Sequence, residues 1–272
     1  LGVFLVAINL SFLPVPVVWL LATLGAILFG AAWAYIPAYL QSKRGSHVVI
    51  TTIMFNFIAA SLLNYLLVNV FRPEGSMDPA TAKFPVSTNL PTLHDLFGTI
   101  GISFSKAAPA NISFFVAVIA CILVWVLIWR TRLGYEIRAF GHSETAAVYA
   151  GISPTRIIMI SMTLSGGLAG LMAINNVMGE AERLVMNAVE GAGFIGIAVA
   201  LMGRSHPIGV FLAAILFGFL YQGGAELALW TSIPRELIVV IQALVILFTG
   251  ALDNLVRIPL QWIFLKLSKP IK

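Results

Sequence analysis

The chain has 272 residues, of which 60% are hydrophobic and 10% are charged, and its formal net charge is +5. A soluble domain has about 45–50% apolar and about 25% charged residues. This composition excludes an ordinary soluble enzyme, a disordered chain and a coiled coil. The positive charge does not indicate a nucleic-acid partner, because its distribution follows the pattern of membrane topology described below.

Long stretches without any charge dominate the chain. The first charged residue is Lys43, and the further uncharged runs are 45–71, 107–129, 157–179, 205–225 and 237–252. A helix needs about 20 apolar residues to cross the hydrocarbon core of a bilayer. We therefore predict an all-α fold, a polytopic bundle of transmembrane helices that forms a single domain over residues 1–272.

The hydropathy pattern predicts about eight spans or part-spans, followed by a terminal helix at 253–272. In chain order these spans are 1–12 (a partial helix), 16–39, 48–71, 111–130, 157–178, 187–203, 207–226 and 235–252. The first begins inside an apolar stretch with no basic segment before it, which is neither a signal peptide nor a natural start. We therefore expect the sequence to be truncated at its N-terminus.

The charges between the spans alternate in sign along the chain. One set of connections is rich in basic residues: Lys43, Arg44, Arg130, Arg132, Arg138, Arg156, Arg204, Arg257, Lys266, Lys269 and Lys272. The other set is rich in acids: Glu74, Asp78, Asp95, Glu180, Glu182, Glu190, Glu226 and Glu236. The positive-inside rule assigns the basic set to the cytoplasm. This orientation predicts a cytoplasmic C-terminus, a cytoplasmic connection at 131–156 and an extracytoplasmic segment at 72–110.

The segment 72–110 is rich in proline, threonine and serine, so it cannot form a spanning helix. It is also too long for a simple connection between two spans. We expect it to be either a cap over the outer mouth of the bundle or a mobile loop.

Several sequence motifs that are typical of soluble enzymes are either absent or lack the surrounding residues that their function requires. The segment Gly191–Gly196 has the GxGxxG spelling, but an apolar helix follows it where a dinucleotide site needs an acidic residue. The chain contains no G-x-x-x-x-G-K-[ST] motif, so it does not hydrolyse ATP itself. Its single cysteine, Cys121, and four scattered histidines predict neither a disulfide nor a metal site.

The most informative connection is the segment 130–157. Ser143 is a good N-cap residue, and Glu144 suits the positive first turn of a helix. Gly151 can supply a left-handed ending, and Pro154 prevents the helix from continuing. The pattern predicts a helix of about two turns at 144–150. Its small apolar face of Ala146, Ala147 and Ala150 could dock in a groove of another protein.

The segment 130–157 contains a motif that is similar to one in a known family. Thr145-Ala146-Ala147-x-x-x-Gly151 resembles the EAA loop of ABC-importer permeases, although Thr145 stands where many of them have glutamate. The wider sequence is similar to the ribose, simple-sugar and nucleoside branch of these permeases, within the branched-chain amino acid/ribose permease superfamily. The matching segments are Thr131–Ala139, Ala146–Ile152, Ile50–Ala59, Ser165–Gly170 and Gly193–Pro207. The similarity runs from about residue 16 to 258, and the resemblance implies that one or two N-terminal helices are missing.

The resemblance implies an assembly in the bacterial inner membrane. Two permease subunits, identical or different, would form the pore, two cytoplasmic ATPases would bind ATP and Mg, and an extracytoplasmic binding protein would deliver a simple sugar or nucleoside. This chain would be one permease subunit with no cofactor of its own. Its short cytoplasmic helix would contact an ATPase through Glu144, Thr145, Ala146, Ala147, Tyr149 and Gly151.

Uncommon polar groups in the apolar spans are candidates for the substrate pathway. Asn56, Ala60 and Asn64 share one helical face, which should meet protein or water rather than lipid. The remaining candidates are Asn175, Asn176, Glu190, Phe194 and Gln222. Amide side chains both donate and accept hydrogen bonds, which suits hydroxyl groups of a sugar. Their alternative role is hydrogen bonding between helices, and the alternative for Phe194 is core packing.

Two further patterns concern packing, and one alternative function stays open. Gly166 and Gly170 form a GxxxG face for close helix packing, and Gly203–Pro207 predicts a tight turn. An ion-coupled secondary transporter of a small polar solute is the alternative function. Such a transporter requires charged residues in the middle of its spans. The predicted spans contain none there.

Overall fold

The computed structural model describes residues 1–10, 13–85, 88–94, 110–186, 191–231, 237, 239–245 and 247–248. These residues form α-helices, one π-helical stretch and two isolated antiparallel bridges, Ala80 with Val185 and Thr92 with Asn111. The helices are α1 (Gly2–Asn9), α2 (Val15–Arg44), α3 (Val48–Asn69), α4 (Ser113–Arg130), α5 (Arg132–His142), α6 (Glu144–Tyr149), α7 (Pro154–Ala173), α8 (Ala192–Met202) and α9 (Pro207–Trp230). The π-helical stretch Ile174–Glu180 continues α7.

Five helices within the described residues are long and apolar enough to cross a membrane. They are α2, α3, α4, α7 together with its π-helical continuation, and α9. The prediction of a helical membrane protein is confirmed at this level. The predicted partial span at 1–12 is an eight-residue helix, and α8 is a shorter apolar helix. The count of about eight spans stays a prediction, since the terminal helix at 253–272 and much of the last span lie outside the described residues.

The described residues belong to two compact units, Leu1–Glu190 and Gly191–Lys272. The first unit is built on the antiparallel pair α2 and α7. A Cβ atom on Gly30 would collide with the carbonyl oxygen of Gly166, and one on Gly170 would collide with that of Ala26. The two backbones can approach this closely only because these positions have no side chain. The predicted packing role of Gly166 and Gly170 is confirmed.

One end of the first unit contains its hydrophobic core. Here α1 packs on α2, and the end of α3 and the π-helical stretch add further apolar side chains. Two residues of the 72–110 segment, Phe84 and Leu90, are buried in the same cluster. We call residues 78–85 and 88–93 the cap. These two residues pack part of the segment on the helices of the first unit.

The opposite end of the first unit contains the basic residues that end α2 and α4, so we call it the basic end. Arg130 lies over the ring of Trp125 at 5.5 Å, and Arg138 over that of Trp129 at 4.5 Å. A Cβ atom on Gly134 would collide with the carbonyl oxygens of Leu127 and Ile128. The absence of a side chain at Gly134 therefore allows α5 to fold back tightly against the end of α4.

The second unit is centred on the pair α8 and α9. Gly203–Pro207 connects them in a tight turn, in which Arg204 and Ser205 have positive φ angles of 52° and 54°. The amide of Ser205 donates a hydrogen bond to the carbonyl of Ala200 at 2.9 Å. The predicted turn is confirmed, and Pro207 begins α9.

Candidate functional site

The short helix α6 lies at the basic end, and its two ends follow the local chemistry of the sequence. The hydroxyl oxygen of Ser143 accepts a hydrogen bond from the amide of Ala146 at 3.3 Å. Gly151 has a φ angle of 81°, and the amide of Ile152 donates to the carbonyl of Ala147 at 3.0 Å. The left-handed residue ends the helix, and Pro154 starts the next one. The predicted helix is present, one residue shorter than expected.

The exposed face of α6 differs from the predicted face. Ala147 is only 2% exposed, so it is not part of the exposed face that the sequence predicted. The helix α6 packs against α5. Tyr149 is 96% exposed, and Val148 beside it is also exposed. The other predicted contact residues are exposed as well: Glu144, Thr145, Ala146 and Gly151.

The helix α5 connects α6 to the membrane helices. The hydroxyl oxygen of Thr131 accepts a hydrogen bond from the amide of Gly134 at 3.1 Å and so caps the start of α5. Arg132 and Glu136 form an ion pair at 3.3 Å on the same helix. Since α5 packs against α4, α6 and α7, it joins the short helix to two of the spanning helices.

The residues that the sequence analysis assigned to a polar stripe all lie on α3. Asn56, Ala60 and Asn64 are all exposed in the isolated chain. Neither amide side chain makes a hydrogen bond with the part of the chain that the structure describes. An unpaired amide costs about 2–7 kcal/mol when it is transferred from water to an apolar medium. Water, solute or another protein segment beside these amides would satisfy them, whereas lipid would not.

Asn175 has a defined role within the described residues. Its side-chain oxygen accepts one hydrogen bond from Nδ2 of Asn111 at 2.8 Å and another from the hydroxyl of Ser113 at 3.0 Å. These bonds join the π-helical stretch to the start of α4. Hydrogen bonding between helices is the alternative role that the sequence analysis gave for these amide side chains. Asn176 lies next to it and is half-buried.

The other predicted pathway residues fall in the second unit or at its boundary. Phe194 on α8 is 75% exposed, so it does not belong to the core of its own unit. Gln222 on α9 is also exposed. Glu190 lies outside the described residues. The described residues contain no group of three or more histidine, cysteine or acidic side chains arranged to hold a metal ion.

Sequence reasoning missed one polar cluster, which joins the cap to the residues that follow the π-helical stretch. Its centre is Glu182, whose φ angle is 52° although it is not a glycine. Its side chain accepts a hydrogen bond from Asn89, which is 93 positions away in the sequence. No local pattern could have predicted a contact over that distance, although the Pro-rich, polar segment did suggest a cap.

The helices, the charge distribution and the exposed polar stripe together define a multi-pass α-helical membrane protein. The chain belongs to the family described as branched-chain amino acid transport system / permease component, which matches residues 1–250. The resemblance inferred from the motifs is confirmed.

Characterised relatives are similar along most of the chain. The glucose ABC transporter permease protein of Haloferax volcanii is 35% identical over 248 residues, which are 89% of this chain and 63% of that protein. The guanosine ABC transporter permease protein of Bacillus subtilis is 35% identical over 234 residues, 85% of this chain and 64% of that protein. The ribose import permease protein of Escherichia coli is 26% identical over 257 residues, which are 91% of this chain and 73% of that protein.

This chain spans slightly less than two thirds of the length of the first two relatives. No solved structure matches it.

Proposed function

We propose that this chain is the membrane-spanning permease subunit of an ABC importer that carries a simple sugar or a nucleoside. The observation that carries the proposal is the family match over residues 1–250. The names of the relatives described above include glucose, guanosine and ribose, which supports this class of solute. The first two are named as ABC transporter permeases, so the ion-coupled alternative receives no support. In this proposal residues 1–272 act as one permease domain.

The exposed face of α6 is the proposed contact with a separate ATPase subunit, which binds ATP and Mg. Tyr149 and Val148 present an apolar surface at the basic end, where a soluble partner can reach it. Glu144, Thr145, Ala146 and Gly151 extend this surface, and Ala147 supports it from beneath. Because α5 connects α6 with α4 and α7, a displacement of α6 has a direct route to two spanning helices.

The basic end is the proposed cytoplasmic end, by the positive-inside rule. Lys43, Arg44 and Arg130 lie at the ends of α2 and α4 there, whereas Glu74 and Asp78 lie on the connection at the other end. In this orientation the protein is a multi-pass subunit of the bacterial inner membrane with a cytoplasmic C-terminus. The cap then faces the extracytoplasmic binding protein that delivers the solute.

The stripe of Asn56, Ala60 and Asn64 is the proposed pathway surface of the first unit. A second permease subunit, identical or different, would close the pore around this exposed face of α3. The amide groups can then exchange hydrogen bonds with solute hydroxyls as the solute passes. Asn175, Asn176, Glu190, Phe194 and Gln222 remain proposed pathway residues, with Asn175 positioned by its bonds to Asn111 and Ser113.

The decisive experiment compares two exposed tyrosines at the basic end. Tyr149 is on α6, and Tyr135 is 63% exposed on the neighbouring α5. Membranes that contain the permease with its ATPase and binding protein are assayed for uptake of radiolabelled glucose, guanosine and ribose. Tyr149→Asp should abolish ATP-dependent uptake and copurification of the ATPase, because it places a charge in the proposed docking surface.

Tyr135→Asp is the matched control and should retain both properties. Normal uptake and normal ATPase copurification in Tyr149→Asp would contradict the assignment of α6. Uptake that proceeds without ATP hydrolysis would contradict the proposed class of transporter.

A further inference from the structure

The cap and the residues that begin α4 are both attached to the end of α7 and to the residues that follow it. In the cap, the amide of Thr81 donates to the carbonyl of Leu184 at 3.1 Å, and the amide of Leu184 donates back to the Thr81 hydroxyl at 3.0 Å. The amide of Phe84 donates to the carbonyl of Glu182 at 2.8 Å. Ala80 and Val185 form an antiparallel bridge beside these bonds. The cap is thus paired with residues 182–185, directly after the π-helical stretch.

Side chains reinforce this pairing. Oε1 of Glu182 accepts a hydrogen bond from Nδ2 of Asn89 at 2.8 Å, and its Oε2 lies 3.8 Å from Nζ of Lys83. Arg183 and Asp78 form a second ion pair at 3.9 Å. Glu182 therefore contacts the cap with its main chain and with both carboxylate oxygens. The two exposed ion pairs add little by themselves, and the partly buried bond to Asn89 adds more.

The residues that lead into α4 are attached to the π-helical stretch itself. Asn111 and Ser113 both donate to the side-chain oxygen of Asn175. Asn111 is buried, and a Cβ atom on Gly179 would collide with its amide nitrogen. By contrast, most residues of the connection from α3 to the cap, 72–77, are exposed. The hydrogen bonds described here therefore attach the cap and the start of α4 to residues 175–185.

The helix that carries the cap starts next to α6. Pro154 follows α6 by only a few residues, and α7 with its π-helical stretch continues for 27 residues to Glu180. A helix of that length spans about 40 Å. The glycine contacts between α2 and α7 add α2 to the same body, and Phe84 packs 6.2 Å from the ring of Phe4 on α1.

We propose that the cap is a rigid extension of α7, held by Glu182, and that cap and helix move as one body during the transport cycle. This proposal rests on the proposed function, since it assigns a motion to a transporter. Its consequence is that a movement of α6 by the ATPase reaches the extracytoplasmic surface through α7. Glu182 is a positioning residue in this scheme, because it acts through the cap and not on the solute.

A reversible crosslink across the bridge tests the proposal. Ala80 and Val185 are a pair without direct hydrogen bonds to each other, for which the Cα separation is about 4.5 Å. That spacing falls in the range that a disulfide accepts. Ala80→Cys and Val185→Cys are introduced into the Cys121→Ser chain, which otherwise has no cysteine. The assembled transporter is oxidised with copper phenanthroline, and uptake of glucose, guanosine and ribose is measured before and after reduction.

We expect the disulfide to form and the oxidised transporter to keep at least about half of its uptake. A disulfide that stops uptake, with recovery on reduction, would show that the cap separates from α7 and would overturn the proposal. Failure of the pair to crosslink would also overturn it. A reduced, unmutated transporter that takes up none of the three solutes contradicts the proposed function instead.

A second measurement examines Glu182 without any transport. Deuterium exchange of segment 78–85 is compared in Glu182→Ala and in Glu180→Ala, in the detergent-solubilised complex. Glu180 is exposed and makes no hydrogen bond or ion pair with the described residues, so it is a matched control. Loss of a hydrogen bond to a charged group should speed exchange roughly tenfold in Glu182→Ala. Equal exchange in the two variants would remove Glu182 from its positioning role.

Discussion

Asn56 and Asn64 contribute exposed amide groups to a helix whose outer surface is mostly apolar. Hydrophobic residues such as Ile53, Phe57 and Ile58 lie between and beside them. An amide that faced lipid would have neither water nor protein to bind, at a cost of several kcal/mol. A wet or protein-covered surface at these positions, as in the proposed pore, would avoid this cost.

We predict that Asn56→Leu lowers solute uptake about tenfold or more, because leucine offers no hydrogen bond to a passing hydroxyl group. Gln222→Leu, which changes an exposed amide in the second unit, should have a smaller effect. Initial rates of uptake at equal membrane abundance measure the difference. Wild-type rates in both variants would exclude Asn56 from the pathway.

Substitutions of Ala147 and Ala150 can distinguish two roles of α6, its packing within the protein and its proposed docking to the ATPase. Ala147 is buried and Ala150 is exposed, although both belong to the same short segment. We predict that Ala147→Glu lowers the thermal unfolding temperature and the folded yield in detergent, because it places a charge against α5. Ala150→Glu should leave the unfolding temperature within a degree or two. Equal unfolding temperatures would contradict the packing of α6 described above.

Local chemistry was sufficient to predict the ends of α6, and it was insufficient to predict its orientation. Ser143, Gly151 and Pro154 act on the backbone within a few positions of themselves, so their effect can be read from the sequence. Burial of Ala147 depends on a neighbouring helix. The contact of Glu182 with Asn89 depends on two distant segments that meet only in the folded chain.

Among the elements, the pair α2 and α7 depends most on small residues. Gly30, Gly166 and Gly170 leave no room for a side chain where the two backbones meet. The length of α2 was underestimated from the sequence, because hydropathy ends near residue 39 whereas the helix continues through Lys43 and Arg44 to a left-handed Gly45. Charged residues end a hydrophobic run but do not end a helix.

We predict that Gly166→Val destabilises the protein by about 1–3 kcal/mol, the usual range for overpacking. Gly218→Val on α9 is the control, since a Cβ atom there would meet open space. Thermal unfolding of both variants in the same detergent makes the comparison. If the Gly218 variant were destabilised equally, the loss would come from valine in a helix and not from the contact of α2 with α7.

The π-helical stretch at the end of α7 was predicted as ordinary helix, because the sequence span 157–178 runs through it without a break. Composition does not distinguish the two helix types, and π-helical turns are frequent at functional positions. Here the stretch holds Asn175 against Asn111 and Ser113. Its geometry follows from these tertiary contacts, which no local pattern encodes.

For the molecule as a whole, the orientation in the membrane can be measured directly. Met77→Cys and Tyr149→Cys, each in the Cys121→Ser chain, place one exposed thiol at each end of the first unit. In cells from which the outer membrane or cell wall has been removed, a membrane-impermeant maleimide should label position 77. It should label position 149 only after the cytoplasmic membrane has been permeabilised. The opposite pattern would reverse the orientation derived from the basic residues.

The π-helical stretch also limits how this part of the protein can change over evolutionary time. Each residue of a regular helix turns the chain by about 100° around the axis. Loss of one residue within 174–180 would therefore rotate every later side chain about the helix axis and carry Glu182 away from Asn89. A point substitution does not cause this rotation, although the contacts of Asn175 and Gly179 with Asn111 restrict those two positions. We expect homologous genes to keep the number of codons in this stretch unchanged.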